Sequence, residues 1–235
     1  ITVPEGQADL TPQQTADLIN DLIMRSQELL KEHPVNRKRA TEGKDPANSI
    51  WPWSPGVRPA MQTLKSLYGI QQSSVISAVD LIRGIGVYAG MKVIHVEGAT
   101  GLYDTNYEGK AAAALEALKT DDLVYLHVEA SDEAGHEGDV RLKIQTIEDL
   151  DHRIVGPVLQ ALQTWEKPVA IAVLPDHPTP CSIRTHTNVP VPFLIYRPGD
   201  EPDSVTVFDE FSVEGGKYGL LEKNEFIKLL IKSEK

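Results

Sequence analysis

The sequence has few cysteines, few basic residues and no long apolar run. Cys181 is the only cysteine among 235 residues, so no disulfide forms within the chain, and we expect a reducing compartment, the cytoplasm. Lys and Arg number 23 against 34 Asp and Glu, and the net charge of −11 argues against nucleic acid as the main partner. No apolar run approaches ~18 residues, so no membrane span is predicted.

The first ten residues also lack the features of a targeting segment. They have neither the basic start nor the apolar stretch of a signal peptide, and the first residue is Ile1 rather than Met. We therefore expect that the chain was cut from a longer polypeptide. The sequence leaves the oligomeric state open.

Apolar, β-branched segments alternate with amphipathic ones over residues 59–235. Strands that are apolar on both faces and alternate with helices are typical of a parallel sheet covered on both sides. The pattern predicts the α/β class, with three layers and a mostly parallel sheet that has helices on both faces. The predicted strands are 73–79, 91–98, 121–130, 168–177 and 191–198, and the predicted helices are 80–89, 107–118, 141–162 and 222–233.

The first 58 residues have a different composition. A helix is predicted from Thr11, an N-cap followed by Pro12, to about His33, where His33-Pro34 should end it. Residues 35–58 are polar and contain several Pro and Gly, so we expect irregular chain with one short strand near 50–53. This change predicts a boundary between a domain of residues 1–58 and a domain of residues 59–235.

Five residues of metal-ligand type follow the predicted strands. In an open parallel sheet the ligand site lies outside the carboxyl ends of the strands, so we expect the five to converge there. A single Asp-x-x-x-His or Asp-His pair more often caps a helix or faces water, but three such elements at strand ends favour a metal site. The five residues are Asp132, His136, Asp176, His177 and His186.

The spacing of these residues suits two ions. Asp132 and His136 are four residues apart and can share one side of a turn, whereas the adjacent Asp176 and His177 should point in different directions and serve one ion each. Carboxylate and imidazole ligands suit Mn²⁺ or Zn²⁺. Two ions ~4 Å apart can clamp the attacking and leaving oxygens of a phosphoryl group.

The segments EASDEAGHEGD, LPDHPTP and RTHTNVPVPF, which contain the five residues, resemble the metal-binding motifs of the alkaline phosphatase superfamily. Three further segments are HPVNRKRATEGKDPANSIWPWSPG, SAVDLIRGIGVYAGM and VEGATGLYDTNYEGKAAAALEAL. They resemble the archaeal-type, cofactor-independent phosphoglycerate mutases. The resemblance covers nearly the whole chain.

This resemblance implies an alkaline-phosphatase-like fold, with residues 1–58 as the remnant of an inserted cap domain. It implies two divalent ions, Mn²⁺ foremost with Zn²⁺, Mg²⁺ or Co²⁺ as alternatives, and no 2,3-bisphosphoglycerate. Asp132, His136 and His186 would hold one ion, and Asp176 with His177 would contribute to the second. The implied substrate is small and phosphorylated, because the family interconverts 3-phosphoglycerate and 2-phosphoglycerate in glycolysis and gluconeogenesis.

The catalytic serine is the part of the family pattern that this sequence lacks. The family's nucleophilic Ser and a further metal-binding Asp lie outside this chain, so we expect the chain alone to be inactive. Ser131 adjoins Asp132, but nothing in its position indicates activation.

Four basic residues are candidates for substrate binding. Arg83 lies beside Gly84 and Gly86, which would let the backbone approach a ligand, although the segment lacks the GxGxxG spacing of a dinucleotide site. The alternative for each is a solvated charge. The four are Lys110, Arg37, Arg39 and Arg83.

The sequence is also compatible with two other functions. A phosphatase, a phosphonate hydrolase or another phosphomutase could use the same metal motifs. A non-catalytic binding protein stabilised by metal would also fit a chain without its nucleophile. His127, inside a predicted strand, is most simply a core or sheet-face residue.

Overall fold

The computed structural model describes residues 10–52 and 58–231 of the protein. The chain divides into two compact units, Ile1–Pro59 and Ala60–Lys235. Within the described ranges, no helix combines the length and the apolar character that crossing a membrane requires. The helices are α1 (Pro12–Lys31), α2 (Pro34–Thr41), α3 (Leu64–Tyr68), α4 (Asp80–Tyr88), α5 (Tyr107–Ala117), α6 (Ala130–Glu137), α7 (Val140–Leu150), α8 (Gly156–Leu162) and α9 (Glu225–Ile231). The strands are β1 (Ser73–Ile76), β2 (Lys92–Ile94), β3 (Leu123–Leu126), β4 (Ile171–Val173) and β5 (Leu194–Tyr196).

Helix α1 begins where its sequence signals predict. The Thr11 side chain accepts from the Gln14 backbone N–H at 3.3 Å, and the Gln14 side chain accepts from the Thr11 backbone N–H at 2.8 Å. Each bond satisfies a backbone donor that the first turn leaves unpaired, so the pair forms a capping box. The predicted N-cap is confirmed.

The prediction of irregular chain directly after His33 was wrong, because α2 follows. The ring nitrogen Nδ1 of His33 accepts from the Val35 N–H at 3.3 Å, and Pro34 occupies the first helical position, where its missing N–H has no cost. The buried Asn36 side chain donates to the carbonyls of Leu30 and Ala47, both at 2.7 Å. Polar side-chain bonds therefore order a segment that has no apolar periodicity.

The short strand predicted near 50–53 is absent from the part that the structure describes, which reaches residue 52. The Ile50 N–H donates to the Ser26 hydroxyl at 3.0 Å, so a side chain, and not a strand, binds this backbone group. Residue 53 lies outside the described residues.

A parallel sheet with the order β2-β1-β3 forms the centre of the second unit. Every residue of β1 is buried. On one face, α4 packs so closely that a Cβ on Gly86 would lie 2.5 Å from Val75 Cγ1. Strand β2 lies on one side of β1, and strand β3 lies on the other side. Because the order of the strands reverses at β1, a crevice is expected at the carboxyl ends of β1 and β3.

The other face of the sheet carries a compact apolar cluster. Leu126 of β3 lies in register with Ile76, whose side chain is on the opposite face from Val75. Leu126 packs against a buried cluster of Tyr107, Ala111, Ala130 and Ile154. Helices thus cover both faces, and the predicted α/β class with a parallel sheet is confirmed.

Strands β4 and β5 form a separate antiparallel pair, with Ile171 opposite Tyr196. Strand β4 leads into Asp176 and His177, and the chain between β4 and β5 contains His186. The two strands and their connection therefore carry three of the five predicted ligands: Asp176, His177 and His186.

The helix predicted for 141–162 is present without a gap as α7, a π turn at Asp151–Val155 and α8. Pro157 explains the local widening: it has no N–H to donate to the carbonyl four residues earlier, and its ring would collide with that carbonyl. The N–H of Gly156 donates instead to the carbonyl of Asp151, five residues back.

Candidate functional site

Helix α6 carries the first two predicted ligands on one side of its surface. It starts shortly after β3, and its residues Asp132 and His136 are one turn apart. Asp132 Oδ2 lies 3.3 Å from His136 Nε2. The expectation that the i, i+4 spacing brings these two side chains together is confirmed.

His186, from the chain between β4 and β5, completes a three-residue cluster. Its Nε2 atom lies 3.4 Å from Asp132 Oδ1 and 3.0 Å from His136 Nε2. One ligand atom from each of the three side chains lies within 4.8 Å of the others. One carboxylate and two imidazoles at this spacing could surround a single divalent ion.

The side chains of Asp176 and His177 approach each other. Asp176 Oδ2 is 3.5 Å from His177 Nε2, so the expectation that this pair points in different directions was wrong. His177 Nδ1 lies 3.9 Å from Asp132 Oδ1, and its ring centroid is 3.8 Å from that of His186. All five predicted ligands therefore meet in one place, while their role as ligands stays a prediction.

The hydrogen bond of His136 determines which of its nitrogens can bind a cation. Its Nδ1 atom lies 3.0 Å from the carbonyl oxygen of Arg184. A carbonyl only accepts, so Nδ1 carries the hydrogen, and in the neutral ring the lone pair is on Nε2. That lone pair is on the atom that faces Asp132 and His186, as in metal sites where a backbone carbonyl orients a histidine.

His127 and Glu129 are two residues of the site region that the sequence did not identify as functional. They follow β3, and His127 Nε2 lies 3.3 Å from Glu129 Oε2. His127 Nδ1 is 3.2 Å from the Ser77 hydroxyl at the end of β1, so this contact spans the expected crevice. Strand-end position was the available signal, but His127 follows an apolar run that made it look like core.

Burial and neighbouring charges shift the pKa of both residues. Burial lowers the pKa of His127, while the Asp176 carboxylate opposes this shift. Burial raises the pKa of Glu129, and the negative charges of Asp132 and Asp176 raise it further. The site therefore concentrates negative charge that a bound cation would offset.

Thr179 is the third residue that sequence reasoning missed as a site residue. It is 3% exposed, and its hydroxyl donates to Asp132 Oδ1 and lies 3.3 Å from His177 Nδ1. Its position within the LPDHPTP segment was visible, but no spacing rule distinguishes it from a turn residue. It contacts both predicted ligand groups.

Two of the predicted substrate-binding residues lie in the second unit and have internal partners. Lys110 is 1% exposed, and its ammonium donates to the carbonyl of His127 at 3.4 Å. Arg83 donates from Nε to the carbonyl of Ser77 at 2.6 Å and lies 3.1 Å from Asp80. Both therefore lie near the carboxyl ends of β1 and β3, and their contact with substrate stays a prediction.

The other two, Arg37 and Arg39, lie in the first unit. Arg37 is paired with Glu32, and Arg39 donates to the carbonyl of Asp45 at 2.9 Å. Both belong to the exposed surface of α2. Substrate binding by either residue likewise stays a prediction.

The buried ammonium of Lys110 should give the stability of the folded chain an unusual pH dependence. Burial lowers the pKa of its ammonium to about 8, and the Glu129 carboxylate only partly opposes this shift. A lysine of the unfolded chain titrates near ~10.4, so from pH ~8 to ~10.4 the unfolded state binds more protons and stability rises with pH. Relative to Lys110→Met, the free energy of unfolding of the unaltered chain should increase by about 3 kcal/mol over this range.

Urea unfolding of both proteins at a series of pH values measures this difference. Parallel stability profiles for the two proteins would contradict the buried, charge-penalised state of Lys110.

A family model described as the Metalloenzyme superfamily matches residues 13–232. Among curated proteins, the 2,3-bisphosphoglycerate-independent phosphoglycerate mutase of Methanosarcina mazei is 54% identical over 218 residues, which are 92% of this chain and 55% of that protein. The protein of the same description from Methanosarcina acetivorans is 52% identical over 230 residues, which are 97% of this chain and 58% of that protein. The chain thus spans about half the length of the curated relatives it matches.

Two solved structures share the fold. A protein from Pyrococcus horikoshii aligns with a TM-score of 0.80 and 33% identity, over 95% of this chain and 60% of that chain. The cofactor-independent phosphoglycerate mutase from Thermoplasma acidophilum aligns with a TM-score of 0.52 and 25% identity, over 87% of this chain and 48% of that chain.

Proposed function

The chain belongs to the Metalloenzyme superfamily, and on that premise we propose that it forms the metal-binding part of a 2,3-bisphosphoglycerate-independent phosphoglycerate mutase. The observation that carries the proposal is the convergence of Asp132, His136 and His186, whose ligand atoms lie within 4.8 Å of one another, beside Asp176 and His177. Relatives of that description, at 52–54% identity, support the choice of reaction.

The donor set fits divalent ions. Asp132, His136 and His186 would hold one ion, and Asp176 with His177 would contribute ligands to another. Carboxylate and imidazole donors suit Mn²⁺, which we favour, and Zn²⁺. The side chains of Glu129, Asp132 and Glu133 also have oxygens within 4.8 Å of one another, so a cation would relieve their repulsion.

The proposed reaction interconverts 3-phosphoglycerate and 2-phosphoglycerate. When bound, the metals would lower the pKa of a nucleophilic serine and neutralise the phosphate oxygens during transfer. That serine would come from outside these residues, take the phosphoryl group from one hydroxyl of glycerate and return it to the other. This chain's part is to hold the ions at the carboxyl ends of the strands.

Basic residues near the site would bind the substrate's negative charge. Arg83 is the best placed of the four candidates, because its guanidinium lies at the carboxyl end of β1 and is 23% exposed. Lys110 would act from below the surface by adding positive charge to the crevice. Arg37 and Arg39, in the first unit, are the remaining two candidates.

The experiment that tests the proposal measures where the phosphate group of 3-phosphoglycerate goes. The parent polypeptide would be incubated with 3-phosphoglycerate and Mn²⁺, and ³¹P NMR would follow 2-phosphoglycerate and free phosphate. The proposal predicts 2-phosphoglycerate without phosphate release, loss of activity on chelation and recovery with Mn²⁺. Release of free phosphate without isomerisation would contradict it and favour a phosphatase of the same superfamily, whereas Mn²⁺ binding without any turnover would favour a binding protein.

A further inference from the structure

Thr179 connects the ligands proposed for the first ion, through Asp132, with those proposed for the second ion, through His177. Its side chain is 3% exposed and lies between α6, which carries Asp132, and the turn that carries His177. A buried hydroxyl needs partners, and here both partners are proposed metal ligands. We propose that Thr179 is a positioning residue that orients Asp132 and His177 for metal binding; this inference rests on the metal site of the proposed function.

The hydrogen-bond inventory assigns a direction to each contact. A threonine hydroxyl has one hydrogen, and the Asp132 carboxylate can only accept it. Since that hydrogen is given to Asp132 Oδ1, the 3.3 Å contact with His177 Nδ1 requires that the ring nitrogen donate to Thr179 Oγ1. In the neutral ring, His177 then carries its hydrogen on Nδ1 and its lone pair on Nε2.

This tautomer directs His177 toward the second proposed ion. The Nε2 atom lies 3.5 Å from Asp176 Oδ2, so a lone pair and a carboxylate face each other across a gap. Two electron-rich groups in this relation repel unless a proton or a cation lies between them. Thr179 therefore orients one ligand of each proposed ion: the carboxylate of Asp132 and the imidazole of His177.

The backbone of Thr179 is held as firmly as its side chain. The ammonium of Lys143, on α7, donates to the carbonyl of Thr179 at 2.6 Å. Gly135, on α6, leaves the space that this carbonyl needs, because a Cβ at Gly135 would overlap the carbonyl oxygen. The turn after His177 is thus bonded to α7 and packed closely against α6.

Calorimetric titration of the parent polypeptide and its variants with Mn²⁺ tests the inference. Thr179→Val keeps the shape of the side chain but removes the hydroxyl, and we expect it to weaken Mn²⁺ binding by about 10- to 100-fold, the usual effect of losing a residue that orients a ligand. Thr179→Ser keeps the hydroxyl and should restore binding. The control is Thr146→Val: Thr146 is 1% exposed and its hydroxyl bonds within its own helix, so Mn²⁺ affinity should stay unchanged.

Two further measurements separate positioning from folding. Thermal unfolding without metal shows whether each variant folds, and histidine ¹⁵N shifts of the unaltered protein should show the Nδ1–H tautomer for His177. If Thr179→Val does not fold, Lys143→Met, which releases the Thr179 carbonyl but keeps its hydroxyl, should weaken Mn²⁺ binding in the same direction.

The outcomes distinguish this inference from the proposed function. Normal Mn²⁺ binding by the unaltered parent polypeptide together with equal affinity in a folded Thr179→Val variant overturns the positioning role alone. An Nε2–H tautomer for His177 overturns it as well. Absence of Mn²⁺ binding by the unaltered parent polypeptide, which would also supply the ligand expected outside this chain, overturns the proposed metal site and this inference with it.

Discussion

Replacing Asp132 by Asn is expected to lower the affinity of the chain for Mn²⁺ by roughly 100-fold or more. Asp132 contacts both proposed ligand groups: it lies 3.3 Å from His136, 3.4 Å from His186 and 3.9 Å from His177. Asn keeps the shape of the side chain but removes the charge, and an amide is a much weaker ligand for a divalent ion than a carboxylate.

Glu137→Gln is the matched control for this prediction. Glu137 lies on the same helix, α6, but its side chain is exposed, and the substitution removes the same charge. Isothermal titration with Mn²⁺ should therefore give near-normal affinity for Glu137→Gln and strongly weakened binding for Asp132→Asn. Equal losses in the two variants would mean that net charge alone, without Asp132 as a ligand, governs binding.

Replacing Gly135 by Ala is expected to destabilise the fold by about 2–3 kcal/mol and to weaken Mn²⁺ binding. A Cβ at this position would overlap the carbonyl oxygen of Thr179 and lie 2.9 Å from its Cγ2 atom. Backbone atoms cannot rotate away as a flexible side chain can, so α6 and the turn after His177 would have to separate. That movement pulls Asp132 away from Thr179 and His177.

Gly84→Ala gives the matched control, because Gly84 also lies within a helix but a Cβ there would meet nothing within 4 Å. Since alanine favours the helix over glycine, this variant should gain up to about 1 kcal/mol. Urea unfolding of the two variants measures both values. Similar stabilities for Gly135→Ala and Gly84→Ala would show that the close approach of α6 to Thr179 is not a property of the folded protein.

The sheet of the second unit was predictable because its strands are apolar and β-branched. The segment SSVISAV predicted a buried strand, and Ser73–Ile76 is buried throughout. Strand ends were less predictable: the segment 121–130 forms a strand only over Leu123–Leu126. Apolar character continues past the last ladder bond, so composition alone does not indicate where hydrogen bonding to the neighbour stops.

Helix α2 and the π turn after α7 show what the patterns could not predict. Helix α2 depends on the cap formed by His33 and on the side chain of Asn36, which bonds to residues up to eleven positions away. Such contacts form only after the chain has folded back. The π turn at Asp151–Val155 follows from Pro157, a residue visible in the sequence, but the amphipathic pattern gives no sign of the widening.

The candidate site was predictable at the level of residue types and strand ends. Asp132 and His177 are 45 positions apart in the chain, yet they lie 3.9 Å apart because each follows the carboxyl end of a strand and these two ends meet. The strands belong to different sheets, β3 to the parallel sheet and β4 to the antiparallel pair, so a single parallel edge is not the reason. The residues that orient them were not predictable. Thr179 resembles any turn threonine until the partners of its hydroxyl are known.

The proposed function requires that α6 and the chain that follows β4 hold a cation jointly. Crystals of the protein grown with Mn²⁺ and measured near the manganese absorption edge would test this directly. We predict an anomalous peak bounded by Asp132, His136 and His186, with Asp176 and His177 beside it. A fully occupied Mn²⁺ elsewhere, with these five side chains in the positions described and no peak between them, would contradict the proposed metal site.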